Sequence, residues 1–182
     1  MDDKIKWCIE QHTKTNHWYD EYLPYEFHLR MVAQAAKDFI DLVPDLNDGE
    51  ISDREVIILA AYGHDLIEDT RVSYNDVKEV LGHRAADIVY AVSNEKGKSR
   101  KERANEKYYE GIRNTPGAVF VKMCDRIANV QYSKMTKSRM FEMYKKENAE
   151  FTKELGFRGD GFEYPGHEYY PMYKYLNNLF EK

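Results

Sequence analysis

The stretch Ser52–Thr70, SDREVIILAAYGHDLIEDT, changes character halfway along. Its first half is a helix signal. Ser52 with Glu55 three residues on has the form of a capping box, in which each side chain satisfies a backbone N–H left unpaired by the first turn. The apolar run Val56 to Ala61 follows. The second half places His64, Asp65, Glu68 and Asp69 at the C-terminal end of the same helix. Acidic groups there face the negative end of the helix dipole, so something positive should offset Glu68 and Asp69. His64 and Asp65 are adjacent nitrogen and oxygen ligands, a set that suits manganese, iron or zinc. A solvated helix end is the other reading of the same residues.

On either side of this helix the periodicity stays helical. Nothing alternates with period two for long enough to suggest a sheet, so the expected fold is all-α. Leu29, Val32, Ala33, Ala36, Phe39 and Ile40 mark a helix with one buried face, ended by Pro44 and the polar run to Gly49. Ser73 caps a short helix stopped by Gly82, and a further helix covers roughly Arg84 to Val92. A charged helix begins near Ser99. Thr115-Pro116 has the form of an N-cap followed by proline at the first helical position, opening an apolar helix from Gly117 to about Met135. A polar helix from about Ser138 to Leu155, a loop from Arg158 to Gly166 and an aromatic helix from Tyr169 to Phe180 complete the chain. No repeat or linker is visible, which predicts one domain over residues 1–182.

Composition narrows the function. The chain has 182 residues, enough for a domain with a substantial core. It is 42% hydrophobic and 32% charged, with no apolar run near the roughly 20 residues of a membrane span and no signal-peptide pattern at Met1-Asp2-Asp3-Lys4. The expectation is a soluble, cytoplasmic protein with no membrane partner. The two cysteines, Cys8 and Cys124, indicate neither a disulfide framework nor a cysteine metal site. A net charge of -5 gives no general attraction to nucleic acid, so an anionic ligand needs a local basic patch. Lys96 to Arg103 is the most basic stretch.

Two further positions bear on the His64-Asp65 pair. Asp125 interrupts the apolar segment Phe120 to Val130, where a buried carboxylate without a partner would cost several kcal/mol. Its cation is either a metal or the adjacent Arg126. His28 lies among Tyr25, Phe27 and Leu29 and reads either as a hydrogen-bonded core histidine or as a ligand.

Taken together, the order H…HD…D, with ED-T following two residues after HD, resembles the HD-domain metal-dependent phosphohydrolases. Within them it is most similar to the hydrolase domain of the Rel and SpoT alarmone enzymes and their small stand-alone relatives. The resemblance rests on Pro24-Tyr25-Glu26-Phe27-His28-Leu29, His64-Asp65-Leu66-Ile67-Glu68-Asp69-Thr70, Val72-Ser73 with Gly82, Arg100-Lys101-Glu102-Arg103, and Val121 to Asn129. It is strongest over 12–135, with the C-terminal helices of 138–182 expected to pack on that part.

The resemblance implies an HD-domain helical bundle. His28, His64, Asp65 and Asp125 match the four metal ligands, with Mn2+ the usual ion, and Glu68 and Asp69 match the acidic pair that handles the attacking water. Asn129 becomes a candidate base or ribose contact. Tyr132, which shares a helix face with Asp125 and Asn129, either stacks on a base or packs the helix. Lys122 and Arg126 flank that face, and Arg100, Lys101 and Arg103 are either phosphate ligands or a solvated helix face. The implied reaction is removal of the 3′-diphosphate of (p)ppGpp, a small nucleotide, as pyrophosphate. The stretch His17 to Tyr22 departs from the long alarmone enzymes, which carry an arginine and a lysine there. Lys14 is the nearest substitute. Two alternatives stand beside the alarmone reading: a phosphatase of another nucleotide or phosphorylated cofactor, such as a nucleoside monophosphate or NADPH, and a non-catalytic nucleotide sensor.

Overall fold

In the computed structural model, residues 1–44, 52–93, 102, 104–158, 161–162 and 167–181 are described. Helices dominate. In chain order they are α1 (Asp2–Lys14), α2 (Glu26–Asp38), α3 (Asp53–Gly63), α4 (Leu66–Asp69), α5 (Tyr74–Leu81), α6 (His83–Val92), α7 (Glu106–Asn114), α8 (Ala118–Met135), α9 (Met140–Glu154) and α10 (Tyr170–Glu181). The all-α expectation holds, with one addition. Two short antiparallel hairpins accompany the helices: β1 (Trp18–Tyr19) with β2 (Leu23–Pro24), and β3 (Phe157–Arg158) with β4 (Gly161–Phe162). Strands of two residues carry no alternation for a sequence reading to find.

α2, α3, α6 and α8 form the centre. α2 packs on both α3 and α8, and α6 packs on α3 and α8 from the other side. α3 is buried along Val56 to Gly63, including the fully buried Leu59, Ala60 and Ala61, so it runs through the core rather than over it. α8 supplies Phe120, Val121, Met123, Cys124 and Ala128 to the same core, all fully buried. α9 and α10 pack against α8, each by its own contacts.

The helix starts follow local chemistry. Ser52 accepts from the Glu55 N–H at 3.2 Å, the backbone half of the capping interaction. Ser73 and Asp76 form the complete box, and Gly82, at φ 97°, ends α5 in a conformation that glycine adopts freely. The start of α8 differs from the expected Thr115-Pro116 cap. Its N-cap is Gly117, in the left-handed region at φ 84°, while the Thr115 hydroxyl donates to the Gly111 carbonyl one turn back in α7. Thr115 therefore closes one helix instead of opening the next. The expected start of the charged helix near Ser99, with Arg100, Lys101 and Arg103, lies outside the described residues; the described part is α7, which Asn105 caps by accepting from the Tyr108 N–H. α1 was not singled out by periodicity, because its buried face is only Cys8 and His12.

Candidate metal centre and cleft

The side chains of His28, His64, Asp65 and Asp125 converge where α2, the end of α3 and the middle of α8 meet. Their placement follows from burial. His28 and His64 are 2% exposed and sit on the inner faces of their elements, while Asp65 follows directly after the buried end of α3. His64 Nδ1 faces the Ala61 carbonyl at 2.8 Å and donates to it, which leaves Nε2 as a lone-pair donor pointing into the cluster. His28 Nε2 lies 3.2 Å from His64 Nε2, 3.6 Å from Asp65 Oδ2 and 3.5 Å from Asp125 Oδ1. His64 Nε2 lies 2.8 Å from Asp65 Oδ2 and 3.9 Å from Asp125 Oδ1. Among the described residues, His28, His64 and Asp65 form a group able to hold a metal ion with one atom each, and Asp125 approaches it from α8.

These spacings suit a small dication. Donors about 2.1 Å from one ion lie roughly 3.0 Å apart at right angles and roughly 3.4 Å apart in a tetrahedron. The charge balance points the same way: Asp65, Glu68, Asp69 and Asp125 line one cleft with Lys122, whose ammonium sits 3.0 Å from Asp125 Oδ2. Although burial pushes the His28 pKa down, Asp125 and Asp65 raise it further, to about 9. Burial works against the charged form of Asp125, yet Lys122 and the two imidazoles hold its carboxyl well below the usual range. A metal ion would meet the same demand for positive charge that His28 answers with a proton.

The cluster forms the floor of a cleft of about 780 Å³. Glu68, exposed, and Asp69, its side chain only partly exposed, line it on α4 beside Asp65. Burial, then the charges of Asp65 and Glu68, raise the Asp69 pKa to about 7. Lys122, Arg126 and Asn129 also line the cleft. Arg126 is buried, stacked between the rings of Tyr144 and Phe151 and paired with Glu147 at 3.3 Å. It pairs with α9 rather than serving as the partner of Asp125. Tyr132 does not line the cleft. Its ring lies edge-on to Tyr19 and Phe27, and its hydroxyl donates to Asp20, so packing is the role the geometry supports. Lys14, exposed in the last turn of α1, does not line it either.

Several neighbours of the cluster come from residues 12–25, a stretch in which Lys14 is the one residue that the sequence marks as a substrate contact. Tyr25 donates a short hydrogen bond to Asp65 and a longer one, 3.4 Å, to Asp69. Its ring stacks on His17 and His12. His12 is buried at 1% exposure, with Nδ1 3.3 Å from His17 Nδ1, and burial lowers its pKa to about 3, keeping it neutral. The signal available in sequence was the density of rings between His12 and Tyr25.

No protein-family model matches the chain. A zebrafish protein named guanosine-3′,5′-bis(diphosphate) 3′-pyrophosphohydrolase MESH1 is 29% identical over 129 residues, 71% of this chain and 66% of its own length. The corresponding Aquifex aeolicus pyrophosphohydrolase is 34% identical over 110 residues, 58% of this chain and 16% of its own. The matched part is thus just under two thirds of the first relative and a small part of the second. A solved structure described as a metazoan ortholog of SpoT that hydrolyzes ppGpp shares the fold, with a TM-score of 0.69 at 18% identity over 98% of this chain and 92% of that one. The chain is thus similar in sequence to proteins named as guanosine-3′,5′-bis(diphosphate) 3′-pyrophosphohydrolases and shares the fold of a solved one, with His28, His64, Asp65 and Asp125 brought together inside that fold.

Proposed function

We propose that this protein is a metal-dependent pyrophosphohydrolase that converts (p)ppGpp to GDP or GTP and pyrophosphate, with Mn2+ held by His28, His64, Asp65 and Asp125. One observation carries the reading: two buried imidazoles and two carboxylates from separate elements meet at the floor of a cleft, with Asp69 and Glu68 beside them. The naming of the relatives as guanosine-3′,5′-bis(diphosphate) 3′-pyrophosphohydrolases supports the substrate. A bound divalent ion would lower the pKa of a water in its shell and offset charge on the phosphoryl group.

The chain's own groups do the rest. Asp69, on the cleft wall beside Asp65, accepts a proton from the attacking water. Glu68, one residue away on the same cleft wall, orients that water. Water attacks the phosphorus joined to the 3′ oxygen. The bond between that phosphorus and the 3′ oxygen breaks, and the proton taken from water ends on the ribose. Tyr25 holds Asp65 and keeps Asp69 close. Incubation of the purified protein with Mn2+ and ppGpp should release pyrophosphate and GDP in equal amounts. Intact ppGpp after long incubation at high enzyme concentration would rule that substrate out.

A second reading is favoured by the charge of the cleft. Glu106, Glu147, Glu150 and Glu154 line its far side, and its described cations, Lys122 and Arg126, are engaged by Asp125 and Glu147. Such a lining suits a substrate with less negative charge than ppGpp, such as a nucleoside monophosphate or a phosphorylated cofactor like NADPH. A nucleotide panel read separately for phosphate and pyrophosphate divides the two readings. Tight nucleotide binding with no turnover and no bound metal would instead indicate a sensor.

A further inference from the structure

The β1–β2 hairpin covers one side of the proposed metal centre, and one of its residues reaches two of the proposed ligands. Tyr19 sits between Asn16 and Asp20, which turn the chain at φ 52° and 57°, a backbone region that few residues other than glycine enter. Tyr132 on α8 pins this turn: its hydroxyl donates to Asp20 Oδ2 at 2.8 Å, and its ring lies edge-on to that of Tyr19, with centroids 4.9 Å apart.

Held there, Tyr19 makes two contacts. Its ring stacks on the His28 imidazole, with centroids 4.7 Å apart and planes 13° from parallel. Its hydroxyl donates to Asn129 Oδ1 at 3.0 Å. The amide of Asn129 then donates through Nδ2 to Asp125 Oδ1 at 2.5 Å and to the Asp125 carbonyl at 3.1 Å. The directions are fixed by chemistry, because a carboxylate can only accept, so Nδ2 must face Asp125 and the oxygen is left for the tyrosine. Asp125 Oδ1 is the atom that faces both imidazoles, while Oδ2 is taken by Lys122. Hydrogen bonds in such a chain polarise one another, so donation from Tyr19 strengthens the grip of Asn129 on that oxygen.

We propose that Tyr19 is a positioning residue for the metal centre: through Asn129 it sets the orientation of the Asp125 carboxylate, and through its ring it fixes the plane of His28. The inference rests on the assignment of these two residues as metal ligands. It also changes the expectation for Asn129. Both amide hydrogens are spent on Asp125, so a substrate group would meet only the remaining lone pair of Oδ1, which accepts and does not donate.

The test is Mn2+ affinity of metal-stripped protein, measured by titration calorimetry, for wild type, Tyr19→Phe, Asn129→Ala and the double variant. Tyr19→Phe keeps the ring stack and loses only the hydroxyl. Partners of metal ligands typically contribute about 10-fold or more in affinity, and a loss of about 10-fold is expected here. The melting temperature of the metal-free protein should stay near wild type. If Tyr19 acts through Asn129, the double variant should bind no more weakly than Asn129→Ala alone. Wild-type affinity in Tyr19→Phe, or losses that simply add, would overturn the proposal. Should Tyr19→Phe fail to fold, Asn129→Ser breaks the same chain from the other end, and wild-type affinity there overturns it equally. Wild-type protein that binds Mn2+ but leaves ppGpp intact would count against the substrate and not against Tyr19. Wild-type protein that takes up no Mn2+ would overturn both.

Discussion

Asp125 and Glu68 are both carboxylates on one cleft, but their surroundings assign them different work. Asp125 is largely buried in α8, held by Lys122 and Asn129 and turned toward the two imidazoles. Glu68 is exposed on α4, where it can meet water. The two roles fail differently. Asp125→Ala removes a proposed charged ligand and strands the ammonium of Lys122, so metal content and activity should fall together. Glu68→Gln keeps the size and the ligand set, so metal should stay bound while turnover falls by roughly 10²-fold or more. Elemental analysis beside initial rates checks both. A nearly fully active Glu68→Gln, or one that loses its metal as completely as Asp125→Ala, would contradict the assignment.

The element that presents Asp125 depends on a glycine. α8 begins at Gly117 with φ 84°, and a Cβ there would lie 2.8 Å from Ile57 Cδ1 on α3 and 3.0 Å from Ile88 Cδ1 on α6, two of the helices against which α8 packs. Gly117→Ala should therefore combine left-handed strain with overpacking and lower stability by about 2–4 kcal/mol, read as a drop in the urea midpoint. A loss under about 1 kcal/mol would mean that the helix start can shift. Gly117 also marks where sequence stops being sufficient. Thr115-Pro116 satisfies every local rule for an N-cap, and only the position of α7 reveals that Thr115 bonds backward to Gly111. Elsewhere local chemistry was enough: Ser73 and Asp76 start α5, Gly82 ends it, and the apolar run of α3 identifies a core helix. The proposed metal cluster is legible in another way: each of its residues is ambiguous alone, and the order H…HD…D with ED-T groups them through the family resemblance. Tyr19 and Tyr25 were not. Tyr19 meets Asn129 across 110 residues of chain, through a hairpin of two-residue strands that has no period to read.

At the scale of the molecule, the proposed centre joins parts of the chain that are far apart in sequence. His28 comes from α2, His64 and Asp65 from the end of α3, and Asp125 from α8, so an ion bound to all of them ties three core elements together. Without the ion, Asp65 depends on the His64 and His28 imidazoles for compensation, and Asp125 on Lys122 and the same two imidazoles. An ion held as proposed would bind the folded state far better than the unfolded chain, where these side chains are scattered. Mass action then requires a rise in stability with metal: about 2.7 kcal/mol at a free concentration 100 times Kd. For a chain of this length each kcal/mol moves the melting temperature by about 2–4 °C, so the expected rise is roughly 5–11 °C. Chelation should reverse it. Asp125→Ala should flatten the dependence on metal, and Tyr19→Phe should shift the same curve to higher Mn2+ without abolishing it. A melting temperature of the wild-type protein that ignores both Mn2+ and chelator would mean that these side chains converge for stability alone, and the hydrolytic reading would fall with them.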